Sequence, residues 1–224
     1  NGPDMPLWSH VPEEPPVIGQ VDWKKNNLAN AAKEGDLRAI QKHIDAGEDI
    51  NSVSKGTGSV LNAAAMTDQV EAIRLLVKNG ADVNIANADG NTPLHGAAFF
   101  GNVDSVQALL DARANPNPRN NDGGTPLDSS ASPWSDEFKG IVEFIANLVN
   151  IDVDMKKVKA GRPKVVSVLR KSGGKFGREL PPPKGSEIGL AAKMGDMNTL
   201  RTLIEDGADP NQRDRMAITP LCWA

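Results

Sequence analysis

Side chains able to act as nucleophiles, acid–base groups or metal ligands are few. The histidines are His10, His43 and His95, and Cys222 is the single cysteine. None falls in a C-x-x-C or H-E-x-x-H spacing, so no metal centre is expected. The glycine-rich Lys55-Gly56-Thr57-Gly58 lacks the spacing and the Lys-Ser/Thr ending of a phosphate-binding loop. The sequence therefore points to no catalytic residue and no cofactor. What remains is recognition chemistry. Residues 156–178 hold nine cations and no acid: Lys156, Lys157, Lys159, Arg162, Lys164, Arg170, Lys171, Lys175 and Arg178. Two readings stand for them. One is charge balance against an acidic remainder; the other is a surface for an acidic partner, a nucleic-acid backbone or anionic lipid. The interleaved aromatics of a single-strand binder are missing, with Phe176 alone in the run, so nucleic acid is not favoured.

The elements that must position these groups are legible around residues 87–117. Thr92-Pro93-Leu94-His95 opens a helix, with Thr as cap and Pro where its missing N–H costs nothing. Leu94, Ala97 and Ala98 then fall on one apolar face, and Gly101 ends the helix. Val103, Val106, Leu109 and Leu110 form the face of a second. The unit recurs at a step of 33 residues: Ser59-Val60-Leu61-Asn62 before it, Thr125-Pro126-Leu127-Asp128 after it, with Asn51, Asn84 and Asn117 in phase. Ile40, Ile73 and Val106 repeat one core position; Ile44, Val77 and Leu110 repeat another. A fixed step of this kind predicts stacked helix pairs, none able to bury its apolar face alone.

The Thr-Pro-Leu-His tetrapeptide, Gly80-Ala81-Asp82-Val83-Asn84 and the 33-residue step resemble the ankyrin repeat over roughly residues 28–127 and again over 187–224. The resemblance implies an all-α solenoid of stacked helix pairs with hairpin-like loops on one side, used to bind protein. It carries no catalytic site, and His95 would tie adjacent repeats together. By position, it places the partner-binding surface at loop tips, including Ala88, Asp89 and Asn91, and on the exposed side of the first helices. There Met66, Phe99 and Phe100 would form an exposed apolar cluster, with Trp134 beside it, unless the helices turn them inward or the irregular segment covers them.

Taken in order, residues 1–25 form a Pro-rich arm and 26–128 the regular repeats. His43 stands where later repeats have Leu76 and Leu109, and is read as a feature of the terminal repeat rather than as chemistry. Asp68 and Arg113 replace glycines of the pattern. Residues 129–179 are a degenerate or inserted repeat containing the basic run. Two segments compete to complete it: 138–149, with Ile141, Phe144, Ile145 and Leu148 on one face, and 165–174, ending in Gly-Gly. Residues 180–185 are a Pro-rich connector, and 186–224 resume the repeats and stop inside a first helix, as a fragment of a longer protein would.

Composition agrees with this class. Apolar residues are 39 %, charged residues 24 % and aromatics 4 %, with a formal net charge of −4. No apolar run is long enough to span a membrane. One cysteine suits a reducing, cytoplasmic setting, and a monomer is expected. The sequence thus predicts a non-catalytic protein-interaction module. The alternative is a regulatory domain of a larger enzyme or membrane protein, docking through residues 156–178, with acidic lipid as a peripheral contact.

Overall fold

The computed structural model describes residues 27–54, 58–181, 191 and 194–205. The N-terminal arm, the connector beyond Pro181 and most of 186–224 lie outside the described residues, as do His10, Lys55, Gly56 and Cys222.

Each repeat begins with a capped short helix. The Asn27 side chain accepts from Asn30 N–H and starts α1 (Leu28–Glu34), which buries Leu28, Ala31 and Ala32. It ends at Gly35, whose φ of 71° a side chain would strain. Asp36 then accepts from the Arg38 and Ala39 amides and starts α2 (Leu37–Asp45). A two-residue hairpin, β1 (Val53–Ser54) with β2 (Gly58–Ser59), leads into α3 (Val60–Met66) and α4 (Val70–Lys78). The next pair is α5 (Pro93–Phe99) and α6 (Val103–Asp111). After α7 (Pro126–Ala131) come α8 (Asp136–Leu148) and the long α9 (Met155–Lys171); a 3-10 turn covers Gly177–Glu179, and α10 spans Met197–Glu205.

Helices α1, α3, α5 and α7 stack as an inner row, and α2, α4, α6 and α9 as an outer row. The main core lies between the rows, built from small and branched residues such as Ala64, Ile73, Leu94, Val106 and Leu127. Few aromatics are needed because the rows approach closely through alanine.

Side chains at matching positions lace the repeats together. Asn51 accepts from Asp82 N–H at 2.8 Å, Asn84 from Asn115 N–H at 2.8 Å, and Asn117 from Lys175 N–H at 2.7 Å. The carbonyl ends of the inner helices are capped in the same serial way. Thr67 Oγ1 donates to Lys33 O, Asn102 Nδ2 to Ala65 and Met66 O, and Arg162 to Phe99 and Ser132 O. These bonds satisfy carbonyls that a short helix cannot pair internally.

The serial pattern decides between the two candidate outer helices of the fourth repeat. Arg162 does for α5 what Asn102 does for α3, and Gly174 N–H bonds Leu169 O as Ala114 N–H bonds Leu109 O. Val165 and Leu169 enter the main core. Residues 165–174 therefore complete the repeat, and Pro163 lies inside the continuous helix α9, where its missing N–H removes one backbone hydrogen bond of the helix. Helix α8 is the inserted element. Its inward face is Val142 and Ala146, while Ile141, Phe144 and Leu148 are 49 %, 67 % and 68 % exposed. Of the four residues that the sequence places on one face, Ile141, Phe144, Ile145 and Leu148, Ile145 alone packs against the second core cluster: a helical apolar stripe shows that a helix is amphipathic, not which side meets the body.

Candidate functional site

The apolar anchors inferred from the inner helices are sealed. Met66 is 7 % and Phe100 1 % exposed, and Phe99 and Trp134 are half-buried. They join a second core cluster with Val142, Ala146, Val149 and Val158, all supplied by α8, its exit and the start of α9. Phe99 packs edge-on to Phe100 with ring centroids 5.1 Å apart, and Phe138 links Phe99 to Trp134 at 5.6 and 5.9 Å. The expectation of an exposed Met66–Phe99–Phe100 cluster is therefore corrected. The physical reason is the insertion, which removes this surface from water and replaces a partner with part of the chain itself.

The loop tips stay available. Ala88 and Asp89 are exposed and Asn91 is half-buried. Their backbone is fixed from both sides. Asn87 Oδ1 accepts from Asp89 and Asn91 N–H, and Asn120 Oδ1 accepts from Asp122 and Gly124 N–H. Between loops, Asn121 N–H donates to Asp89 O, Asn121 Nδ2 to Ala88 O, and Asn120 Nδ2 to Asn91 Oδ1. Successive tips thus form one hydrogen-bonded row, with the Asp89 side chain projecting from it unpaired in any ion pair among the described residues.

The basic run divides into structural and unengaged cations. Lys157 pairs with Asp68 at 2.8 Å. That carboxylate also accepts from Ser105 N–H and Oγ, which explains an aspartate at φ 60° in place of glycine. Arg162 is buried, its guanidinium 4.1 Å from the Phe138 ring centre. Desolvation pulls its pKa down to about 10, so it remains protonated near neutrality. Arg170 pairs with Glu179 at 2.7 Å. Lys156, Lys159, Lys164 and Lys171 are exposed and form no ion pair among the described residues.

The two described histidines are engaged structurally. His95 Nδ1 accepts from Thr92 N–H at 3.1 Å, and its Nε2 donates to Gly124 O at 3.2 Å. His43 is buried with Nδ1 2.7 Å from Glu48 Oε1. Among the described residues no cluster of three His, Cys, Asp or Glu is placed to hold a metal, and no helix is long and apolar enough to cross a membrane.

One feature escaped sequence reasoning. The end of α7 and the middle of α9 border an open groove of about 380 Å³, lined by Trp134, Pro163, Val166, Ser130, Lys159 and Arg162 among others. The nearest signal in the sequence was Pro163 within a basic helical stretch, but the groove needs α7 beside α9, which the insertion obscures.

The family description "Ankyrin repeats (3 copies)" matches residues 28–120, and "Ankyrin repeat" matches residues 189–215. No curated protein matches the chain.

Proposed function

We propose, for a chain that belongs to the ankyrin-repeat family, a non-catalytic role in holding a protein partner against the row of loop tips. Ankyrin repeats are generally protein-interaction modules. The observation that carries the reading here is the hydrogen-bonded ladder beneath Ala88, Asp89 and Asn91. It fixes the tips before binding, so little conformational freedom is lost on association. Met66, Phe99 and Phe100 lie at the C-terminal ends of α3 and α5, packed under α8, and take no part in this surface. The chain works as a monomer in a reducing, cytoplasmic setting.

A photo-crosslinking side chain at position 88 tests this, with the Asp89→Arg variant as control and circular dichroism confirming both folds. A partner protein captured at position 88 and lost in D89R is the expected result. Capture unaffected by D89R would overturn it.

The second reading, a regulatory domain of a larger enzyme or membrane protein docking through residues 156–178, is favoured by the four exposed lysines without acidic partners. Docking of that kind would weaken steeply with salt, whereas tip binding would not.

A further inference from the structure

The groove between α7 and α9 combines three properties that point to one kind of ligand. Its walls include an aromatic and two aliphatic side chains, Trp134, Pro163 and Val166. Lys159 and Arg162 line it beside Pro163 and Val166, and Lys156, outside the lining, is exposed three residues before Lys159 at the neighbour spacing of a helix face. Those cations lack acids. Helix α9 contains none, and Asp154 before it caps the Lys156 and Lys157 amides. Asp136 and Glu137 of α8 form no ion pair with Lys156 or Lys159. Arg162 bonds only carbonyl oxygens, at the ends of α5 and α7, so its charge meets helix dipoles but no carboxylate.

We propose that this groove is a second binding site, separate from the loop tips, for an acidic peptide segment of a partner protein. An apolar side chain of the peptide seats against Trp134, Pro163 and Val166, and flanking carboxylates meet Lys156 and Lys159. A bilayer is a poorer match, because a flat surface does not reach the wall of a groove whose Trp134 is already half-buried. Nucleic acid is poorer too, because one aromatic beside the lysines offers no series of stacking platforms.

The test uses the full chain and a fluorescent synthetic peptide of glutamates around a central Leu-Leu pair, followed by anisotropy. A peptide with every Glu replaced by Gln, and phosphatidylserine vesicles, are the comparison probes. Saturable binding of the Glu peptide is expected, weakened about tenfold or more by Lys156→Glu with Lys159→Glu, and weakened also by the Gln peptide and by raised salt. Trp134→Ala should weaken it as well. Pro163→Glu, on the exposed surface of α9, reports on the same wall without touching the second core cluster. D89R should bind as the wild type does, so failure here is distinguishable from failure of the loop-tip reading. No binding of the Glu peptide, or binding indifferent to both the lysine and the P163E variants, would overturn the proposal. Vesicle binding stronger than peptide binding and unchanged by P163E would also overturn it, and would assign the lysines to lipid.

Discussion

The polarity of the partner decides which residue closes each first-helix cap. In the third repeat His95 accepts from Thr92 N–H and donates to Gly124 O, which only a neutral ring protonated at Nε2 can do together. In the fourth, Asp128 holds the same place. Its Oδ2 accepts from Thr125 N–H, Thr125 Oγ1 and, at 2.7 Å, Gly177 N–H. Where the neighbour offers a carbonyl the sequence has a donor, and where it offers an N–H the sequence has a carboxylate. Asp128→His would set a ring against the Gly177 amide and cost about 1–3 kcal/mol in urea unfolding, the penalty of stranding partly buried polar groups. The ring of His95 also makes stability depend on pH. Burial lowers its pKa from 6.5, against the raising effects of Gly124 O and Asp128. The unfolded chain therefore binds the proton more readily than the native one. Stability from this group is complete above the unfolded value of 6.5 and is lost as pH falls through and below it. Asp128 acts in the same sense at lower pH: burial raises its pKa, but the donors from Gly177 and Thr125 and the charge of Arg178 outweigh that and leave it lowered from 3.8. Urea midpoints at mildly acidic and mildly alkaline pH should fall toward acid for the wild type and show a flatter profile for His95→Gln. An unchanged slope in H95Q would mean that another group titrates.

Two glycines in inserted or irregular helices separate space from flexibility. Gly161 lies where α9 crosses the turn between α5 and α6, and a Cβ there would collide with the Gly101 carbonyl. Gly161→Ala should cost about 1–3 kcal/mol by forcing the helix off that turn. Gly140 of α8 has open space around its Cβ position, so Gly140→Ala should instead stabilise α8 by about 0.5–1 kcal/mol. Thermal denaturation of both variants checks the opposite signs. The same crossing explains what could be read in advance at this scale. The 33-residue step fixed the first three helix pairs because each repeats the same contacts with its neighbour. The fourth outer helix was ambiguous because α9 runs helically through Gly161-Arg162, where the preceding repeat turns at a left-handed Gly101, φ 71°. Period alone does not reveal that a helix passes through a turn position. The rotation of α8 was also hidden. Phe99 and Phe100 already fill the space beneath it, so the smaller Val142 and Ala146 turn inward and leave Phe144 and Leu148 outside.

At the scale of the whole molecule, the chain carries two kinds of packing, and they differ in how much holds them. The repeat rows share a continuous alanine-rich core and the serial asparagine and carbonyl-capping bonds. The cover formed by α8 rests on a small second cluster, Met66 and Phe100 against Val142, Ala146, Val149 and Val158. Its polar ties are sparse: Lys33 Nζ donates to Asn150 O at the exit of α8, and the Lys139–Glu143 pair lies within α8 itself, exposed and of little weight. The loop tips were readable from the sequence because their positions are set by local asparagine bonds repeated in phase. The fate of Met66, Phe99 and Phe100 was not, since it depends on a segment that returns from far along the chain to lie over them. This difference in attachment has a measurable consequence. Local opening free energies follow the buried contacts a unit shares with the rest of the fold. Amide hydrogen exchange under native conditions should therefore show residues 136–148 opening well before 60–66 and 93–99, with no loss of protection in the repeats. Opening would also bare Phe99 and Phe100, so mild urea should raise binding of a hydrophobic dye before helical content falls. Exchange of α8 in step with α5, and dye binding coincident with unfolding, would mean that the cover and the solenoid form one cooperative unit. The apolar face beneath α8 would then be a permanent interior, never a surface presented to a partner.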